Sequence, residues 1–166
     1  MTIRLPYGSG VVESAMNWGR RLAVLDVADA PGLADVSSAL RGALKSPIGL
    51  PSGLLDEIEA GNSTAVVCSD AYRRTGVDRL LPTLVEELNR AGVRDESIHF
   101  FFASGTHKPP APPQMERILG AGMYARFTTR THTHDPYNTS RHKYLGSTTR
   151  GTPVEINGEL LGFDRI

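Results

Sequence analysis

Two apolar runs that enclose one amphipathic helix pattern constrain this chain more than any other feature. Ala65-Val66-Val67-Cys68 is unbroken, as suits a strand covered on both faces. Val77, Leu80, Leu81, Leu84, Val85 and Leu88 then recur at the i, i+3, i+4, i+7 spacing of a helix with one buried side. The run 98–103 follows and holds three consecutive phenylalanines. Strand, helix and strand in that order predict a parallel pair joined by a right-handed crossover. Each run leads straight into a polar cluster: Ser69-Asp70-Ala71-Tyr72-Arg73-Arg74 after the first, Ser104-Gly105-Thr106-His107-Lys108 after the second. Both clusters then lie at the carboxyl ends of neighbouring strands, the edge at which open α/β sheets bind ligands.

The rest of the chain supports an α/β class. Residues 2–5 alternate and predict a strand, followed by a turn at Tyr7-Gly8-Ser9-Gly10; residues 21–27 read as a second strand. Helical spacing covers 34–44, and a short helix is expected around Leu54, Leu55 and Ile58, ended by Gly61. Asp78 is placed to cap the helix between the two runs, which sets Pro82 in its first turn. Pro109-Pro110-Ala111-Pro112-Pro113 predicts a stiff extended lip, and 114–119 a short helix. Residues 126–133 alternate like a strand. Asn157-Gly158 between 153–156 and 159–162 predicts a hairpin. The expected architecture is one Rossmann-like domain over 1–166, with a mainly parallel sheet, helices on both faces and a C-terminal β-hairpin.

Composition excludes several function classes. Eighteen basic and eighteen acidic residues cancel, which argues against a nucleic-acid binder driven by bulk charge. No apolar run approaches the roughly 20 residues that span a bilayer, and the N-terminus lacks the layout of a signal peptide. The lone Cys68 cannot form an internal disulfide; it reads as a small core residue and fits the cytoplasm.

Three groups can carry chemistry. His107 can give or take a proton near neutral pH, and Gly105 and Thr106 before it suit a tight turn with open N–H groups. Lys108 adds a positive charge. The same histidine also fits a solvated loop. Asp70 and Arg73 form the second group, since a guanidinium can hold a carboxylate or phosphate by two parallel bonds. An ordinary surface ion pair or a helix cap fits them as well. His132, His134 and His142 form the third. His132 and His134 would share a strand face, and with Asp135 could ligate a divalent metal, as in a small metal hydrolase. A polar strand face with a turn at His134-Asp135-Pro136 is the plainer account, and no metal site is assigned. Phosphate-loop, dinucleotide and nucleophile-elbow motifs are absent from the sequence.

A series of segments in order resembles the N-terminal domain of the nickel-dependent lactate racemase (LarA-like) family. The segments are Leu5-Pro6-Tyr7-Gly8, Ala43-Leu44-Lys45-Ser46-Pro47-Ile48-Gly49, Ser69-Asp70-Ala71-Tyr72-Arg73, Ala103-Ser104-Gly105-Thr106-His107-Lys108, His134-Asp135, and the run from Leu145 through Gly151-Thr152-Pro153-Val154 to Asn157. The resemblance implies a two-domain enzyme with a cleft between its domains. It implies a nickel-pincer nucleotide that accepts a hydride from a 2-hydroxy acid and returns it to either face. By motif, His107 matches one of two acid/base histidines, Arg73 the arginine that helps hold substrate or cofactor, and Asp70 its neighbouring acid. Tyr72, Gly105, Thr106 and Lys108 fall in the same binding elements. Tyr72 stands where the family usually has threonine, and Lys108 where it usually has arginine. The second histidine, the tether lysine and the nickel-ligating histidine would lie beyond residue 166. The expectation is therefore a fragment that needs a C-terminal domain and is inactive alone. A stand-alone nucleotide- or carboxylate-binding module in the same crevice is the alternative.

Overall fold

A computed structural model describes residues 2–20, 22, 23, 25, 27–73 and 75–166. Contacts divide the chain into two units, one up to Gly32 and one from Leu33 to Ile166.

The first unit holds an antiparallel ribbon. Strand β1 (Thr2–Tyr7) turns through Gly8 and Ser9 into β2 (Gly10–Ala15), so the expected first strand and turn are present. Gly8 takes φ +59°, a left-handed value that glycine adopts without penalty. Alternation gathers Ile3, Leu5, Tyr7 and Val12 on one face, while Arg4 pairs with Glu13 at 2.7 Å on the other. The strand expected over 21–27 includes Arg21, Val24 and Asp26, which lie outside the described residues. Leu22, Ala23, Leu25 and Val27 belong to no strand.

The second unit is built on the strand–helix–strand pattern. Strands β3 (Thr64–Ser69), β4 (Ile98–Ala103) and β5 (Thr131–Thr133) form a parallel sheet in that order. Thr64 pairs with Ile98 and Ser69 with Ala103, so the two polar clusters leave the sheet side by side. Helix α2 (Val77–Arg90) connects β3 to β4, and helices α3 (Pro112–Leu119) and α4 (Ala121–Phe127) connect β4 to β5. The α/β class is as the sequence predicts.

The layering differs in one respect. Successive crossovers that step the same way across a sheet place their helices on the same face. Cys68, Ile98, Phe100 and Phe102 accordingly pack with Leu81, Val85, Leu88, Leu119 and Phe127 in one core. The opposite face, where the expectation of helices on both sides required another layer, carries Phe101 against Phe163, with ring centroids 5.4 Å apart. Phe163 follows the 3-10 segment Gly158–Gly162. Helix α1 (Val36–Lys45) packs on α2 and is capped by Asp35, whose side chain accepts from Ser38 N at 2.9 Å.

Several local expectations are corrected. Residues 54–57 form turns rather than a helix. Gly76, not Asp78, precedes the first turn of α2, so Pro82 lies in the second turn. Pro112 and Pro113 open α3, leaving only 109–111 as the extended lip. Fixed φ suits proline at a helix start. The alternation over 126–133 is the tail of α4, a 3-10 turn and three residues of β5, because Phe127 turns into the core. The C-terminal hairpin exists, but β7 (Pro153–Asn157) pairs back onto β6 (His142–Ser147) through residues 148–152. Asn157 caps the following 3-10 segment instead, accepting from Glu159 N at 3.0 Å.

Gly92 ends α2 with φ +95°, and a Cβ there would lie 3.0 Å from Ala60 Cβ and 3.1 Å from Ala60 Cα. Gly92→Ala is expected to destabilise the unit by about 1–3 kcal/mol, read as a lower urea midpoint.

Candidate active site

The two polar clusters meet. Register places Asp70 and Ser104 just past the carboxyl ends of β3 and β4, and both are buried. Gly105 takes φ +54°, and His107 N donates to the Ser104 carbonyl at 3.0 Å, which closes a tight turn. That turn carries the imidazole back over β3. His107 Nδ1 is hydrogen-bonded to Asp70 Oδ2. Asp70 Oδ1 accepts the Tyr72 N–H at 3.1 Å, and the Tyr72 ring meets His107 edge-on with centroids 4.8 Å apart. The Asp70 side chain is 5 % exposed and that of His107 51 %, so a buried carboxylate supports an imidazole open to solvent.

The hydrogen bond from His107 holds the Asp70 carboxyl below the usual carboxylate range, against the opposing effect of burial. The Tyr72 N–H and the charge of Arg73 act in the same direction as His107. Asp70 is thus an anion at neutral pH, and an anion can only accept. Nδ1 of His107 therefore carries the proton of this bond, which leaves Nε2 to take or give one.

No hydrogen bond joins Arg73 to His107 among the described residues. Arg73 lines a separate hollow of about 460 Å³ beside Tyr72, with Thr75, Gly76 and Asp78 around it. Gly76 offers no side-chain cap to α2, and its carbonyl accepts the Arg79 N–H at 3.1 Å. Tyr72, Arg73, Gly105, Thr106 and Lys108 are all exposed at this end of the sheet. Arg74 lies outside the described residues. Two groups in this region were given no role by the sequence: Ser104, whose buried hydroxyl has no hydrogen-bond partner among the described residues, and Arg117 of α3, which lines the Arg73 hollow. Ser104 stands in the polar cluster and in the family-like segment without a role of its own, and no signal singled out Arg117.

The histidine group separates into two pairs. His132 Nε2 lies 2.8 Å from His99 Nδ1, and its ring stacks on Phe101 with centroids 4.5 Å apart. Burial pushes His99 below the usual imidazole range, and the charge of His132 acts the same way. His134 stacks instead on His142, centroids 5.3 Å apart, in a hollow of about 380 Å³ between β4 and the hairpin. Asp135 accepts the Tyr137 N–H at 3.0 Å. No three metal-ligating side chains converge among the described residues, so the hydrolase centre of His132, His134 and Asp135 is not formed. Cys68 is a buried core residue, and burial pushes its thiol up to about 11. No helix among the described residues is long and apolar enough to cross a membrane.

Asp95 shares this acid sensitivity with Asp70. Arg126 holds Asp95 by bonds of 2.5 and 2.6 Å and lowers its carboxyl. A carboxyl lowered by folding contributes stability above its unfolded value, about 4, and loses that contribution as pH falls through the folded value. Tm is expected to fall as pH drops below about 4. Asp95→Asn should flatten that slope in a thermal melt series.

The family described as the lactate racemase N-terminal domain matches residues 7–166. The fold is similar to the lactate racemase apoprotein from Thermoanaerobacterium thermosaccharolyticum, with a TM-score of 0.69 and 21 % identity over 99 % of this chain and 37 % of that one. It is also similar to a crystal structure of a protein from Thermotoga maritima, with a TM-score of 0.56 and 20 % identity over 77 % of this chain and 31 % of that one. No curated protein matches the sequence. The chain spans about 37 % of the length of the first structure and 31 % of the second.

Proposed function

Because this chain belongs to the lactate racemase N-terminal domain family, we propose that it forms one wall of the cleft of a cytoplasmic 2-hydroxy-acid racemase or epimerase. The observation that carries this reading is the bond between solvent-open His107 and buried Asp70 at the carboxyl edge of β3 and β4. Inverting a hydroxylated carbon through its carbonyl requires the hydroxyl proton to leave and return. His107 Nε2 takes that proton and gives it back. Asp70 fixes the ring orientation and faces the charge that the imidazole gains. Arg73 holds the substrate carboxylate, with Tyr72 between it and His107. Tyr72 is larger than the threonine usual at this position and narrows the approach.

The hydride chemistry belongs to the nickel-pincer nucleotide that the resemblance implies. By the resemblance that group needs one nickel-ligating histidine and a tether lysine, and no residue of this sequence matches either by motif. The nickel ligand and the cofactor tether are assigned to the C-terminal part of the enzyme. This domain alone is accordingly expected to bind a hydroxy acid without turning it over.

Titrating lactate into the purified chain tests the reading. The His107 ring resonances are expected to shift saturably, and Arg73→Ala to weaken binding about tenfold or more. Flat resonances at high lactate would sink it. Binding that depends on Arg73 but leaves His107 unmoved would favour a simple carboxylate-binding module.

A further inference from the structure

Arg73 does not face its hollow alone. Arg117, on the last turn of α3, lines the same space of about 460 Å³. One of its Nη2 hydrogens is committed, donating to the Ala71 carbonyl at 3.1 Å. That bond ties α3 to the β3–α2 turn and fixes where the guanidinium sits, leaving its other N–H groups open. The Arg73 side chain has no ion pair or hydrogen bond among the described residues. Asp78 supplies the one carboxylate among the described lining residues, and the charge of Arg73 is also felt by Asp70 next to the hollow, so Arg117 is the guanidinium there with no carboxylate partner of its own. Two guanidiniums that line one hollow favour an anion between them, and a planar fork favours an oxyanion.

We infer that Arg117 is a second anion-binding residue of the cleft, and that the ligand of this domain carries a second oxyanion besides its 2-hydroxy-carboxylate. The inference rests on the proposed hydroxy-acid reading and narrows it to a class: 2-hydroxy acids with a second carboxylate or a phosphate monoester. Lactate has one such group and leaves Arg117 unused. A doubly anionic acid places one group on Arg73 and the other on Arg117, each by charge-assisted bonds.

The test compares dissociation constants of the purified chain for L-lactate, L-malate, 3-phosphoglycerate and inorganic phosphate at fixed ionic strength. Malate, 3-phosphoglycerate or both are expected to bind about tenfold tighter than lactate. A malate advantage alone assigns the second group as carboxylate; a 3-phosphoglycerate advantage alone assigns it as phosphate. Arg117→Ala should bring the preferred acid to within about twofold of lactate, and Arg117→Lys should restore only part of the gap, because the fork is lost. Circular dichroism confirms that the variants fold. Equal affinity for singly and doubly anionic acids, or a preference that survives in Arg117→Ala, overturns the proposal even where lactate binding and its Arg73 dependence hold. If no hydroxy acid binds while phosphate binding still depends on Arg117, the hydroxy-acid reading falls and the two-arginine site stands. Silence from all four probes overturns both.

Discussion

Phe102→Ala is expected to cost the α/β unit about 3–5 kcal/mol, most of the stability of an ordinary domain. Phe102 is fully buried on the helix-covered face of β4, in one cluster with Cys68, Leu81, Leu119 and Phe127. Neighbouring strands and three helices hold the walls of that cavity, so little collapse can refill it. The cost then includes both the lost transfer of the ring and the void it leaves. Urea unfolding should show a much lower midpoint with the slope preserved. A loss under about 1 kcal/mol would mean that this core is far looser than its burial indicates.

The second large effect concerns chemistry rather than stability. If the proposed racemase reading holds, His107→Ala slows racemisation by about 10²–10⁴-fold when this domain is joined to the C-terminal part which that reading assigns. The ring is half exposed, but it is the side-chain partner of the buried Asp70 carboxylate, so a modest fall in Tm is expected beside the kinetic loss. Asp70→Asn should fall between the variant and the parent, because an amide can still orient the imidazole but no longer offers a negative charge to it. Enantiomer ratios followed over time report turnover, and in deuterated water hydride return predicts no deuterium on the inverted carbon. Wild-type rates in His107→Ala would remove the imidazole from the mechanism.

The strand–helix–strand unit was legible because each of its runs has one unambiguous period. Ala65–Cys68 has no polar break, and the helix stripe from Val77 to Leu88 contains no competing alternation. The meeting of Asp70, Tyr72 and His107 follows from that topology and from a glycine that can take positive φ. Local signals failed where two patterns overlapped. Phe127, Thr129 and Thr131 alternate, yet the first anchors a helix end and only the last begins a strand. Asn157-Gly158 fits a hairpin, but the asparagine oxygen found a backbone donor two residues on. Pairings between distant segments were not legible. His99 meets His132 because β4 and β5 align Phe101 with His132, a register that neither strand encodes alone. Arg117 reaches the Arg73 hollow only through the packing of α3 on α2.

The outer edge of β3 is occupied by residues from far along the chain. Arg165 pairs with Thr64, its carbonyl accepts the Ala65 N–H at 2.9 Å, and Asp164 accepts from Ser63 N and Oγ at 2.7 Å each. During synthesis, β3 emerges about a hundred residues before the segment that shields its edge, a separation of 101 positions between Ser63 and Asp164. A ribosome adding about 5–20 residues per second leaves that edge bare for several seconds. The nascent domain therefore passes through a period in which another chain can dock on the unshielded backbone, and factors that guard newly made polypeptides matter most in that interval.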